Sequence, residues 1–162
     1  MPLPPSPIGF DSTVLINFGE ANCFELLIEA VGQLCCLMRE AELELLSPST
    51  QQALVRCLDA GTFTLCELAP SEMPKWVELS ARLGAGEAAT IAAAAHRGWS
   101  VAIDDKAARR LAKIELGKHR VTGTIGILLH AIKAGCVSHE DAQQRLDRMI
   151  SNGYWSPVQQ LT

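Results

Sequence analysis

The sequence predicts a single α/β domain, a three-layer α/β/α sandwich in which helices cover both faces of a mostly parallel sheet of about five strands. Short apolar runs alternate with segments of helical composition along most of the chain, a pattern typical of parallel sheets. The length of 162 residues suits one domain with a sizeable core. The composition, 48% hydrophobic and 20% charged, is that of a globular protein.

The predicted strands are short and mostly apolar. The first is Ile8-Gly9-Phe10, which stops at Asp11. The others are expected at residues 34–37, 62–66, 101–103 and 120–122. Residues 62–66 are rich in β-branched and aromatic side chains, which favour a strand.

Segments of helical composition fill the intervals between these strands. After a turn at Asp11, helices are predicted to about Ala30, then from Glu40 to Leu46, Thr50 to Asp59, Pro70 to about Leu83, Gly86 to Arg97, Lys106 to Leu116 and Ile125 to Ala134. Glycines directly follow four of these segments, at positions 84, 98, 117 and 135, and mark helix ends. Thr124 is expected to cap the helix that follows it, and Ser138 opens a capping box before a last amphipathic helix.

The two ends of the chain are predicted to lie outside the domain. Residues 1–7 form a Pro-rich tail, residues 8–152 the domain with its last helix, and residues 153–162 a C-terminal tail. No apolar stretch reaches the ~18 residues of a membrane span, and the N-terminus lacks the features of a signal peptide. The six cysteines show no CxxC spacing, so we expect free thiols in a cytoplasmic protein.

Charge is distributed unevenly along the chain. Residues 1–95 carry 4 basic and 12 acidic side chains, whereas residues 96–162 carry 10 basic and 6 acidic ones. Within residues 106–120, six basic side chains accompany one acid, Glu115. Such a local excess can bind a phosphate backbone, although most charged runs are solvated faces.

Acidic residues occur at three places where a parallel sheet commonly forms its site. Asp11 follows the first strand, Asp104 and Asp105 follow the fourth, and Glu87 opens the helix that leads into the fourth. The carboxyl ends of parallel strands meet at one edge, so these acids could converge there. Each also has a local interpretation: a turn residue, a complement to a helix N-terminus, or a helix cap paired with Arg109.

Four segments together resemble the PIN domain family, and within it a branch of small prokaryotic PIN-like proteins. They are FDSTVLINF, LGAGEAATIAAAAHRG, VAIDDKAARRLAK and VTGTIGILLHAIKAG, in this order and at fitting spacing over residues 8–137. The resemblance implies a parallel α/β/α fold and a metal-dependent ribonuclease. It also implies partners, because many members are toxins bound by an antitoxin protein and members commonly form homodimers.

The resemblance also assigns site residues. The first acid of the family matches Asp11, a later one Glu87, and the last ones Asp104 and Asp105. A further glutamate falls among Glu40, Glu42 and Glu44. Glu44 is favoured because the family's segment usually ends its helical turn as Glu-Leu, but many relatives have a proline before this helix, where this chain has Leu37-Met38.

The roles that follow combine this resemblance with metal chemistry. Carboxylate oxygens suit Mg²⁺ and Mn²⁺, and we expect Asp11, Glu87 and Asp105 to bind one or two ions, directly or through waters. Asp104 and Glu44 would complete the pocket or orient the attacking water. The RNA backbone would be held by Lys106, Arg109, Arg110 and Lys113, and the small hydroxyl residues Ser12, Thr122 and Thr124 would support the site. Of the adjacent pair, we expect Asp105 to face the pocket beside Arg109 and Asp104 to cap or flank the helix.

The leading hypothesis is a metal-dependent ribonuclease that hydrolyses single-stranded RNA, with a toxin role implied by the family. One alternative is a PIN-fold module that binds RNA or a partner with little or no nuclease activity. Another is a receiver or phosphatase-like α/β domain, against which Asp11 is followed by Ser-Thr-Val and not by a second aspartate. Trp76, Trp99 and Trp155 are too scattered in the sequence to predict a base-stacking platform.

Overall fold

The structure of the protein is a computed structural model that describes residues 2–162. Its five strands are β1 (Ile8–Phe10), β2 (Cys35–Met38), β3 (Phe63–Cys66), β4 (Ser100–Ala102) and β5 (Val121–Thr122). They form one sheet in the order β3-β2-β1-β4-β5, and every neighbouring pair is parallel. The predicted fold class is confirmed.

Helices connect these strands. They are α1 (Ser12–Glu20), α2 (Phe24–Val31), α3 (Arg39–Glu42), α4 (Pro48–Ala60), α5 (Met73–Ser80), α6 (Ala85–Arg97), α7 (Lys106–Leu116), α8 (Thr124–Lys133) and α9 (His139–Ser151). Short 3₁₀ turns occur at Pro70–Glu72 and Lys118–Arg120. No helix within residues 2–162 is long and apolar enough to cross a membrane.

The sheet separates two apolar cores because successive strand side chains point to opposite faces. Ile8 and Leu37 belong to the core that contains side chains of α1, α2, α4, α8 and α9. Met38 and Val101 belong to the core on the other face, with side chains of α5, α6 and α7. Helices therefore cover both faces, which gives the three layers.

Helix α6 packs closely on the centre of the sheet. Its alanines between Ala88 and Ala94 are fully buried, and small side chains allow this approach. A Cβ on Gly9 of β1 would lie 3.3 Å from Thr90 of α6 and 3.3 Å from Trp99, so the glycine accommodates the contact. The alanine-rich composition thus places the N-terminus of α6 close to the end of β1.

Several predicted element boundaries are wrong. The helix expected to run to Ala30 is two helices, because the chain turns at Asn22, whose φ of 53° is left-handed. The helix expected from Glu40 to Leu46 shrinks to the four residues of α3, followed by turns. Thr124 does not cap α8: Gly123 is the N-cap and Thr124 is the first helical residue.

Both chain ends predicted to be tails are in contact with the domain. Pro4 O accepts a hydrogen bond from Gln33 Nε2 (3.2 Å), and Pro7 O accepts one from the backbone of Ser100 (2.9 Å). At the other end Leu161 is 2% exposed, and its carbonyl accepts a hydrogen bond from His139 Nε2 (2.7 Å). The C-terminal residues therefore lie on α9.

Candidate acidic active site

Asp11 is the buried centre of the candidate site. It follows β1 and is the N-cap of α1, where its Oδ2 accepts hydrogen bonds from Thr13 N (3.4 Å) and Thr13 Oγ1 (2.9 Å). Its backbone N–H donates to Ala102 O (3.0 Å), which ties the ends of β1 and β4 together. The other carboxylate oxygen, Oδ1, is buried and has no hydrogen-bond partner within residues 2–162.

The surroundings of Asp11 favour its protonated form. Burial raises its pKa from 3.8 to about 6, and the charge of Glu44 adds to this rise, while the bonds from Thr13 lower it. An unpaired, buried carboxylate oxygen is costly and calls for a proton or a cation beside it.

Glu44 reaches the same place from the loop after α3. Its Oε2 accepts a hydrogen bond from Ser12 Oγ (3.3 Å), and its Oε1 fills the space beside Gly86. A Cβ on Gly86 would lie 1.9 Å from that oxygen and 3.0 Å from Ala41 Cα, so a larger residue there would displace the Glu44 carboxylate. Of the three glutamates left open by the sequence, Glu44 is therefore the one that contacts Ser12 and the start of α6. Its catalytic role stays a prediction.

Glu87 joins Asp11 and Glu44 from the first turn of α6. Burial, together with the charges of Asp11, Asp105 and Glu44, raises its pKa from 4.5 to about 7. The predicted convergence thus brings together carboxylates from the ends of β1 and β4, the loop after α3 and the N-terminus of α6. The catalytic and metal-binding roles assigned to them stay predictions.

Asp104 has a separate environment. Its Oδ1 accepts from Thr124 N (2.8 Å), and its Oδ2 accepts from Asn17 Nδ2 (2.8 Å) and from the Thr124 hydroxyl. Burial raises its pKa, and the bonds from Thr124 and Asn17 and the charge of Arg109 lower it. Asp104 therefore ties the start of α7 to α1 and α8. Asn17 was missed from the sequence; its one signal is a polar residue four positions after Thr13, on the same side of α1.

The expected division of labour between the two aspartates is wrong in one respect. Asp105, not Asp104, is the N-cap of α7, and its Oδ2 accepts from Ala108 N (2.9 Å). Arg109 does not pair with Asp105: its Nη1 donates to Ile103 O (2.8 Å) and its charge acts on Asp104. The reason is that β4 ends at Ala102, and the turn that follows gives the cap position to the second aspartate.

The supporting residues are divided in the same way. The Thr124 hydroxyl donates to Asp104, whereas the Thr122 hydroxyl lies against α8, where a Cβ on Gly126 would come within 2.5 Å of it.

Farther along the basic segment, Arg120 donates to the carbonyls of Trp99 and Ala94 and so joins the start of β5 to the segment between α6 and β4.

Two clefts are lined by both Asp104 and Asp105, whereas Asp11 and Glu44 line neither. One of about 310 Å³ is lined by Thr13, Asn17, Glu87, Asp104, Asp105 and Trp155, among others. The second, of about 980 Å³, is lined by Asp104, Asp105, Lys106, Arg110, Lys113 and Trp155, among others. Asp105 and Trp155 line both, so the acidic residues and the basic side of α7 share one surface.

The donor set fits a hard divalent cation in its chemistry. Carboxylate oxygens are the ligands that Mg²⁺ and Mn²⁺ prefer, and the unpaired Asp11 Oδ1 lacks a neighbour that a cation would supply. In the part of the chain that the structure describes, no three Asp, Glu, His or Cys side chains are close enough together to bind one ion. Mg²⁺ usually keeps several waters and binds through one or two carboxylates, which agrees with such a sparse set.

The resemblance to PIN domains implies a parallel α/β/α fold with carboxylates at the carboxyl edge of the sheet. This structure has that organisation, with acids at the ends of β1 and β4 and at the start of α6. The family DUF3368, a PIN domain, matches residues 8–162, and the chain belongs to the PIN domain family. PIN domains are generally nucleases. No curated protein and no solved structure gives a significant match to the chain.

Proposed function

We propose that this protein is a divalent-metal-dependent ribonuclease that hydrolyses phosphodiester bonds of single-stranded RNA. The observation that supports it best is the group of Asp11, Glu44, Glu87 and Asp105, whose charges act on one another around a buried, unpaired carboxylate oxygen. The pKa values of Asp11 and Glu87 are raised to about 6 and about 7 because burial makes their charged forms unfavourable. Carboxylates with strongly raised pKa values are common at functional sites.

Asp11, Glu87 and Asp105 would hold one or two Mg²⁺ or Mn²⁺ ions, in part through bridging waters, because within residues 2–162 no three such side chains lie close enough to bind one ion directly. The bound ion would offset their charges, polarise a phosphodiester oxygen and lower the pKa of a water molecule. Thr13 holds Asp11 Oδ2 through two hydrogen bonds, which leaves the buried Oδ1 as the oxygen available to a cation. Glu44, which within residues 2–162 accepts a hydrogen bond only from Ser12, is free to accept one from the attacking water.

The basic side of α7 would hold the RNA backbone. Lys106, Arg110 and Lys113 are exposed and line the larger cleft beside Asp105. Contacts of this kind are independent of base sequence and weaken as salt rises. Arg109 is less available, because it donates to Ile103 O and lies beside Asp104.

The experiment is cleavage of an unstructured, end-labelled oligoribonucleotide by the purified protein. We expect cleavage in Mn²⁺ or Mg²⁺, loss of cleavage in EDTA and recovery when Mn²⁺ is added in excess. Glu44→Gln should lower the rate, whereas Glu42→Gln, a matched change two residues away, should not. Cleavage that continues undiminished in EDTA would refute a metal-dependent mechanism.

A second candidate, a PIN-fold module that binds RNA without cleaving it, is favoured by one observation: within residues 2–162 no three metal-ligating side chains lie together. Calorimetric titration with Mn²⁺ distinguishes the two. A nuclease should bind Mn²⁺ in a manner that Asp11→Asn abolishes, whereas a binding module should show no Asp11-dependent heat. The toxin role, the antitoxin partner and the homodimer stay predictions from the family.

A further inference from the structure

Trp155 is the most exposed large apolar side chain of the described residues and lies at the candidate site. The residue is 96% exposed, and it lines both the cleft of about 310 Å³ that contains Glu87 and the cleft of about 980 Å³ that contains Lys106, Arg110 and Lys113. The other two tryptophans serve the fold: Trp76 Nε1 donates to Ala85 O (3.2 Å), and Trp99 is buried. The fold brings Trp155 alone of the three to the candidate site, from the C-terminal segment, a placement that its position in the sequence does not indicate.

The segment that carries Trp155 is fastened on both sides. Before it, Tyr154 N donates to Met149 O (2.9 Å), and Asn152 Nδ2 donates to Glu20 O (3.0 Å). After it, Leu161 is buried and its N–H donates to Gln143 Oε1 (2.9 Å). An aromatic ring on an anchored segment loses little further freedom when a ligand covers it, which favours binding.

The charges beside the ring specify what kind of ligand fits. Lys106, Arg110 and Lys113 are spaced four and three residues apart, so they share one side of α7. Within residues 2–162 none of the three takes part in a salt bridge. An open aromatic face beside a row of unpaired cations suits a ligand that carries both flat rings and phosphates, which is a nucleic acid strand.

We propose that Trp155 stacks on an unpaired base of the RNA strand whose phosphates are bound by Lys106, Arg110 and Lys113. A base already stacked inside a duplex cannot offer its face to a side chain, so this contact would select single-stranded over paired RNA. The inference rests on the proposed function for its substrate and adds the residue that distinguishes single strands from duplexes.

The test is binding of a fluorescein-labelled, unstructured oligoribonucleotide in EDTA, followed by fluorescence anisotropy. Loss of one base–aromatic stack should raise Kd about 5- to 150-fold in Trp155→Ala, whereas Trp155→Phe, which keeps an aromatic face, should lose much less. Inorganic polyphosphate, which has charge but no bases, should bind the wild type and Trp155→Ala equally. The control Val55→Ala removes another exposed apolar side chain that lines neither cleft.

The intrinsic fluorescence of Trp155 gives a second readout. Single-stranded RNA should quench the tryptophan emission of the wild type and leave that of Trp155→Phe unchanged, and a duplex of the same sequence should quench less. Because the side chain is exposed, the Tm of Trp155→Ala should equal that of the wild type.

Three results would overturn the inference. Trp155→Ala could bind the oligoribonucleotide as tightly as the wild type, or lose affinity for polyphosphate by the same factor. Sedimentation could instead show that Trp155→Ala changes the oligomeric state with RNA affinity unchanged, which would make the ring an interface between copies. The proposed function can be refuted independently of this inference. If RNA binding depends on Trp155 but no cleavage occurs in Mn²⁺, the protein is not a hydrolase and the stacking contact still stands.

Discussion

The buried carboxylate of Asp11 should make the stability of the metal-free protein depend on pH in a defined direction. Burial raises its pKa from 3.8 to about 6, so the folded state holds this proton more tightly than the unfolded state does. The corresponding stability is fully present below pH 4 and is lost as pH rises through 6. The full loss amounts to about 3 kcal/mol, an upper value for a rise of this size.

Asp11→Asn removes this dependence while keeping an oxygen that can accept from Thr13. The variant also buries an amide nitrogen without a partner, but that cost is the same at every pH and cancels in a comparison across pH. The free energy of unfolding of the variant, relative to wild type, should therefore rise by about 2.5 kcal/mol between pH 4 and pH 8. For a chain of this length, that corresponds to a relative gain in Tm of about 5–10 °C.

Removing the Asp11 charge also affects Glu87, and this effect adds to the stability difference at high pH. Part of the rise in the pKa of Glu87 to about 7 comes from Asp11, so the substitution lowers that pKa and adds to the relative gain at high pH. Thermal unfolding in EDTA, at intervals from pH 4 to pH 8, measures the difference. Adding Mn²⁺ at pH 8 should raise the Tm of the wild type and not that of the variant. A difference in Tm that is constant across the pH range would refute the burial argument.

The remaining predictions concern how the other acids are positioned. Gly86→Ala places a Cβ 1.9 Å from Glu44 Oε1, so it should displace that carboxylate and weaken Mn²⁺ binding about 10- to 100-fold by calorimetry. Gly84→Ala, where nothing lies within 4 Å of the added Cβ, should leave the affinity unchanged; equal affinities for the two variants would show that Glu44 is not needed. Asp104→Asn should lower the free energy of unfolding by about 1–3 kcal/mol, because its amide nitrogen would face buried donors. Asp105→Ala should lower the free energy of unfolding by about 1 kcal/mol through the lost helix cap and should also weaken Mn²⁺ binding. Urea titration measures both stability losses. A larger loss in Asp105→Ala than in Asp104→Asn would contradict the roles given to the two aspartates.

The fold was predictable because its signals are local. Alternation of short apolar runs with helical segments reports a parallel sheet, and the glycines after α6 and α7 mark where those helices end. The break at Asn22 was missed because a single residue in the left-handed region leaves the composition of the flanking helices unchanged. Residues that follow strands were likewise placed at the correct edge, since the order of elements determines which strand ends meet.

The roles of individual acids were less predictable because distant contacts decide them. Asp104 and Asp105 are alike in type and position, and the choice between them depends on Asn17, 87 residues away, and Thr124, 20 residues away. Which of the three glutamates joins the site depends on the space beside Gly86, where Glu44 Oε1 lies. That space exists only once α6 packs near α3.

Trp155 shows the same limit more plainly. In the sequence it stands next to Tyr154 in a segment predicted to be a tail, with no periodic pattern around it. It reaches the site because Leu161 is buried and holds the C-terminal segment on α9. Exposure of a ring at a particular place is a property of the packed chain.

The central claim is that the acidic residues around Asp11 carry out metal-dependent hydrolysis of RNA. The most direct measurement compares cleavage of single-stranded RNA in Mn²⁺ by wild type and Asp11→Asn, purified in parallel and shown by circular dichroism to be equally folded. We expect cleavage by the wild type and none by the variant. Equal cleavage by both proteins would contradict it, because a contaminating nuclease or another site would then be responsible.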